Sequence, residues 1–202
     1  MSKVVIAGDA SGTGTFTISA PNGNTDRTLV LPDEAGTLVT TSSLPNPLTS
    51  GTAVASTSGT AIDFTGIPSW AKRITVMLSG TSISSTSYIL FQLGTSSGVE
   101  ASGYSGYSGY LQGGGGALAN TNGFNLYGIG ANAAAVIYGS MVCTLVSGNT
   151  WIATGMFTNT TSFINAYPNG AKTTAATLDR VRITTNSGTD TFDAGSINIL
   201  YE

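Results

Sequence analysis

Histidine is absent from the 202 residues, cysteine occurs once, and only 8 % of positions carry charge. Without histidine there is no imidazole for general acid/base work, no Ser-His-Asp triad and none of the usual zinc sites. Cys143 has no partner for an intrachain disulfide. It lies in the apolar run Val142-Cys143-Thr144-Leu145-Val146, where a small buried thiol is expected. Globular chains are about a quarter charged. This one has seven Lys+Arg against ten Asp+Glu, a net charge of −3, which excludes a basic nucleic-acid footprint and a polybasic membrane anchor. No run approaches the roughly 18 apolar residues of a membrane-spanning helix. The start, Met1-Ser2-Lys3-Val4-Val5-Ile6-Ala7-Gly8-Asp9, has too few apolar residues for a secretory signal. Helix periodicity is also missing; the best helical candidate is the short alanine-rich stretch 131–135.

What is present points to β structure. Apolar residues make up 41 % of the chain and glycine contributes 27, which argues against charge-driven disorder. Short runs of Val, Ile, Thr, Phe and Tyr alternate with Gly, Asn, Ser and Pro. They predict strands at 14–19, 27–31, 37–40, 52–56, 61–64, 73–79, 88–94, 123–127, 136–145, 150–157, 179–185 and 194–201. The pattern is that of an all-β sandwich or barrel. Ile74, Val76 and Leu78 share one strand face and Arg73, Thr75 and Met77 the other. Val181 and Ile183 likewise oppose Arg180 and Arg182, and Ile197, Ile199 and Tyr201 fall together. A slip of one residue would expose each apolar set, so register is well specified.

Three parts follow from the punctuation. Residues 1–45 hold three short strands that bury little by themselves, and they need neighbours, most simply copies from other chains. Residues 46–51 end the Pro-containing stretch that begins at Ser42 and read as a linker. Residues 52–202 are long enough to close a β-sandwich core without disulfides.

Two tracts stand out as binding candidates. Gly103 to Gly116 runs Tyr-Ser-Gly in triplets and ends in four glycines. So much glycine predicts a mobile loop presenting Tyr104, Tyr107 and Tyr110 to the faces of sugar rings. A second loop is expected at 159–170, where Phe163 and Tyr167 sit among Asn, Pro and Gly. Trp70 and Trp151 read as core or interface residues. Asp190 and Asp193 read as a turn and a strand start, without the spacing of a calcium loop. No phosphate loop, Cys/His metal spacing or nucleophile elbow occurs, and no local cluster marks the carboxylate pair of a glycosidase. No enzyme activity, no cofactor and no metal are expected.

The segments Gly14-Thr15-Phe16-Thr17-Ile18-Ser19-Ala20-Pro21, Arg27-Thr28-Leu29-Val30-Leu31-Pro32-Asp33 and Gly36-Thr37-Leu38 resemble the short β module of bacteriophage tail fibres. The stretches from Ile62 to Val76, Leu178 to Thr185 and Thr191 to Glu202 resemble the carboxy-terminal domain of phage and prophage tail-fibre proteins. That resemblance implies a homotrimeric virion protein, made in the host cytoplasm. It implies attachment to other tail proteins through the N-terminal segment and a distal jelly-roll-like sandwich that meets the host surface. The expected activity is multivalent, non-covalent receptor binding during adsorption, most simply to a surface glycan. Neither nucleic acid nor membrane insertion is expected. Three readings compete: a head fibre or capsid decoration without a receptor, a bacterial carbohydrate-binding or adhesin module, and a polysaccharide depolymerase.

Overall fold

The computed structural model divides the chain into two compact units, 1–40 and 41–202. It describes residues 48–111, 113–127 and 133–202, with the short pieces 11–15, 17, 22–26 and 28. The strands expected at 14–19, 27–31 and 37–40 lie largely or wholly outside the described residues, as do 131 and 132 of the helical candidate. Its remaining residues, Ala133, Ala134 and Ala135, form a turn and its exit rather than helix. Among the described residues every regular element is a β-strand.

In chain order these are β1 (Thr49–Ser50), β2 (Val54–Ala55), β3 (Ala61–Thr65), β4 (Arg73–Ile83), β5 (Ile89–Thr95), β6 (Gly98–Val99) and β7 (Tyr104–Leu111). There follow β8 (Gly116–Ala119), β9 (Phe124–Asn125), β10 (Ile137–Ser147), β11 (Thr150–Asn159), β12 (Ile164–Thr173), β13 (Leu178–Thr185) and β14 (Phe192–Tyr201). They form two antiparallel sheets. The larger runs β1-β14-β4-β10-β11-β12-β7-β8, with β2 also on β14; the smaller runs β3-β13-β5-β6, with β9 also on β5.

Alternation decides which side chains go inward. Ile74, Val76 and Leu78 of β4 are buried, as are Val181 and Ile183 of β13 and Ile197 and Ile199 of β14. The inward faces of both sheets share one hydrophobic core, to which Phe91 of β5 and Phe157 of β11 contribute stacked rings 5.4 Å apart. Each such side chain removed from water contributes about 1.5–3 kcal/mol.

The residues expected to link the two parts behave otherwise where they are described. Thr49 and Ser50 pair with Tyr201 and Leu200 at the edge of the large sheet. The carbonyl of Ile199 accepts the Gly51 N–H at 2.8 Å. An edge strand needs only a few free backbone groups on its neighbour, so a polar dipeptide after two prolines suffices.

Candidate binding face

The mobile loop expected at 103–116 is instead a pair of strands, β7 and β8, meeting Ala119 to Tyr107 and Gly116 to Tyr110. β7 also pairs with β12 along its whole length, from Lys172–Tyr104 to Asn165–Leu111. The glycines permit this rather than oppose it. Gly106 sits directly across from Gly170, with φ of 154° and 153°. A Cβ on Gly106 would lie 2.3 Å from the Asn169 carbonyl oxygen, and one on Gly170 would lie 2.4 Å from that of Ser105. Two bare backbones approach where side chains would not fit.

A three-residue repeat laid on a two-residue pleat sends alternate tyrosines to opposite faces. Tyr104 therefore points into the core. Its hydroxyl donates to the Glu100 carbonyl at 2.9 Å and accepts the Leu93 N–H at 2.7 Å, and its ring meets Phe124 edge-on at 5.0 Å. Burial pushes this phenol well above its ordinary value. Tyr110 also packs against the core, 5.6 Å from the Tyr127 ring. These two are corrected from binding residues to packing residues. Tyr107 alone of the three faces outward, 64 % exposed.

The second expected loop is also mostly strand. Only Thr160–Thr161–Ser162–Phe163 turn, and β12 begins at Ile164. Asn159 Oδ1 holds the turn by accepting the N–H groups of Thr161 and Ser162 at 2.9 and 3.1 Å. Phe163 closes it at φ 55°, the one non-glycine residue with positive φ among those described, and is 87 % exposed. A bulky residue held in this region costs roughly 1 kcal/mol or more.

Tyr167 lies on β12, half-exposed on the same outward face as Tyr107. The register fixes the arrangement. Tyr107 is opposite Asn169, and Tyr167 is opposite Gly109, so the two tyrosines are diagonal neighbours on adjacent strands. Gly109, and beyond it Ala117, leave Tyr167 unshadowed on one side. Across β11, Thr154 pairs with Asn169 and Thr158 with Asn165. Exposed Met156, Ile152, Leu111 and Tyr138 complete the surface. No charged residue occupies an outward position of β7, β10, β11 or β12 apart from their ends. The charge of the smaller sheet is paired: Arg182 reaches both oxygens of Asp63 at 2.7 Å, and Arg180 donates to Asp179 at 2.8 Å.

Beneath this face lie groups that sequence patterning does not single out. Ser108 donates to Asn120 Oδ1 at 3.1 Å, and Asn120 donates to the Asn169 carbonyl at 2.8 Å. Lys172 is buried and paired with Glu100 at 2.5 Å, with its ammonium 5.5 Å from the centre of the Tyr104 ring. Burial works against the Glu100 charge, yet the Lys172 hydrogen bond, the Ala175 N–H at 2.8 Å and the Lys172 charge hold its carboxyl below the ordinary value. These contacts tie β12 and the turn after it to the segment leading into β7. Lys172 and Glu100 are 72 positions apart, and the residues around each carry no signal of the other, because the pairing of β12 with β7 brings them together.

Cys143 is fully buried, and burial pushes its thiol up to about 12, so it is inert near neutrality. Asp190 accepts the Ser87 N–H at 3.2 Å, a turn role. Among the described residues no three of His, Cys, Asp and Glu gather as a metal site would require. No helix in the described residues is long and apolar enough to cross a membrane. Compared with protein-family models, with curated proteins and with solved structures, the chain matches none.

Proposed function

We propose that the chain is a phage tail-fibre protein that captures a host-surface glycan on the outward face of β12 and β7. In this reading the two sheets form a jelly-roll-like sandwich and the chain is a homotrimer joined to other tail proteins through residues 1–45. It binds without cleaving. The observation that carries the reading is the diagonal pair Tyr107 and Tyr167 on an uncharged face, with the amides of Asn165 and Asn169 beside them. Sugars offer C–H faces to aromatic rings and hydroxyls to amides, and a flat charge-free platform suits a neutral polymer. Phe163 at the end of the same hairpin extends the aromatic surface. Three such sites on one fibre turn weak contacts into durable attachment.

The test is adsorption to host cells by the double variant Tyr107→Ala/Tyr167→Ala. Each stacked ring is worth about 1 kcal/mol, so each site weakens roughly thirtyfold for the pair. Adsorption should be lost while mass and far-ultraviolet circular dichroism stay unchanged. The exposed Met156 and Ile152 also suit packing against another subunit, which favours the structural virion reading. That reading gains if the variant loses its oligomeric mass, and normal adsorption overturns the glycan face.

A further inference from the structure

A second site lies away from that face, where the β10–β11 hairpin meets the segment before β4 and the segment before β13. There a cavity of about 100 Å³ is lined by Trp151, Lys72, Ser69, Asn149 and Thr177 over an apolar floor of Leu145 and Leu178. Local geometry builds it. Gly148, at φ 54°, takes the first central position of the two-residue turn Gly148–Asn149, as a type II′ hairpin requires. The register shifts by one residue between Leu145 and Ser147, a bulge that re-aims side chains at the hairpin end.

Trp151 is only 3 % exposed, and its indole N–H donates to no protein acceptor. Among the described residues, Asn125 Oδ1 is the one partnerless side-chain atom sealed from solvent. Trp151 lines this cavity, and its N–H is not sealed from solvent. Buried polar groups seldom stay unpaired. Lys72 is the one cation among the described residues outside an ion pair, since Arg73, Lys172, Arg180 and Arg182 each have a carboxylate. The side chains of Ser69, Asn149 and Thr177 make no hydrogen bond within the protein either. No acidic residue lines the cavity.

Trp and Lys can only donate, and Ser, Thr and Asn can donate as well. A ligand that satisfies all five must be an acceptor, and beside an ammonium the strongest acceptor is an oxyanion. We infer that this cavity binds a small oxyanion, a carboxylate or phosphate at the end of a larger molecule. The inference is independent of the glycan face.

The full-length, ¹⁵N-labelled protein is titrated with sodium glucuronate, inorganic phosphate and neutral glucose at constant ionic strength, following the indole N–H resonances. Trp70→Phe assigns the Trp151 signal. The expected result is a saturable shift of that signal with glucuronate or phosphate, with a dissociation constant of about 1–10 mM for so small a group. The stronger of the two identifies the oxyanion. Lys72→Gln, a change at an exposed position, should weaken it three- to tenfold, roughly the worth of one charge-assisted bond near solvent. Tyr107→Ala/Tyr167→Ala should leave it unchanged, so this site and the glycan face fail separately. No saturable shift, an equal shift with glucose, or full retention in Lys72→Gln overturns the site.

Discussion

At the scale of single residues, the three tyrosines of one repeat have different environments because neighbours and pleat, not composition, decide exposure. Tyr104 lies beside the Lys172–Glu100 pair, and that pair makes stability pH-dependent. The Glu100 carboxyl is held below its ordinary value of 4.5 in the folded chain. As pH falls past 4.5 the unfolded chain takes up the proton first. The contribution is therefore whole above that value and disappears as pH drops through the lowered folded value. Urea midpoints measured through the acid range should fall more steeply with pH for the natural chain than for Glu100→Gln, whose amide does not titrate. Parallel curves would show that the pair has no such linkage. The level of stability at neutral pH is a separate matter, since Glu100→Gln leaves Lys172 buried without a counter-charge.

At the scale of elements, β7 and β8 depend on the close approach at Gly106 and Gly170. Gly106→Ala needs both an unfavourable φ and space held by the Asn169 carbonyl. It should destabilise by about 2 kcal/mol or more. Hydrogen exchange should show protection lost first in β7 and β8, the outermost strands on that side of the sheet. Gly114→Ala, where a Cβ meets nothing within 4 Å, is the control and should change stability by less than about 0.5 kcal/mol. The glycine-rich tract suggests a loop because glycine is poor in strands; a facing pair of glycines removes that objection, and only pairing reveals the pair.

At the scale of the whole molecule, the charges of unit 41–202 are concentrated on the outside of the small sheet, at strand ends and in the buried Lys172–Glu100 pair, while the broad face of the large sheet is neutral. With only 8 % of its residues charged, identical copies of the chain meet little mutual repulsion. Light scattering of the full chain at micromolar concentration should give three times 20.4 kDa, and a monomer mass would end the trimeric fibre reading.

The chain's own patterning determined the all-β class, the strands from 61 to 95, from 137 to 157, at 178–185 and at 192–201, and the inward sets on β4, β13 and β14. Strand period and β-branched content are local properties, written residue by residue. The tertiary structure decided the rest. Tyr107 and Tyr167 belong to two tracts that look like separate loops, and they become neighbours only because β12 pairs with β7. Trp151 reads correctly as a core residue, yet the cavity it lines is completed by Lys72 and Thr177 from other segments. Which strands lie side by side is settled by the summed burial and hydrogen bonding of partners distant in sequence, and no window of neighbouring residues contains that sum.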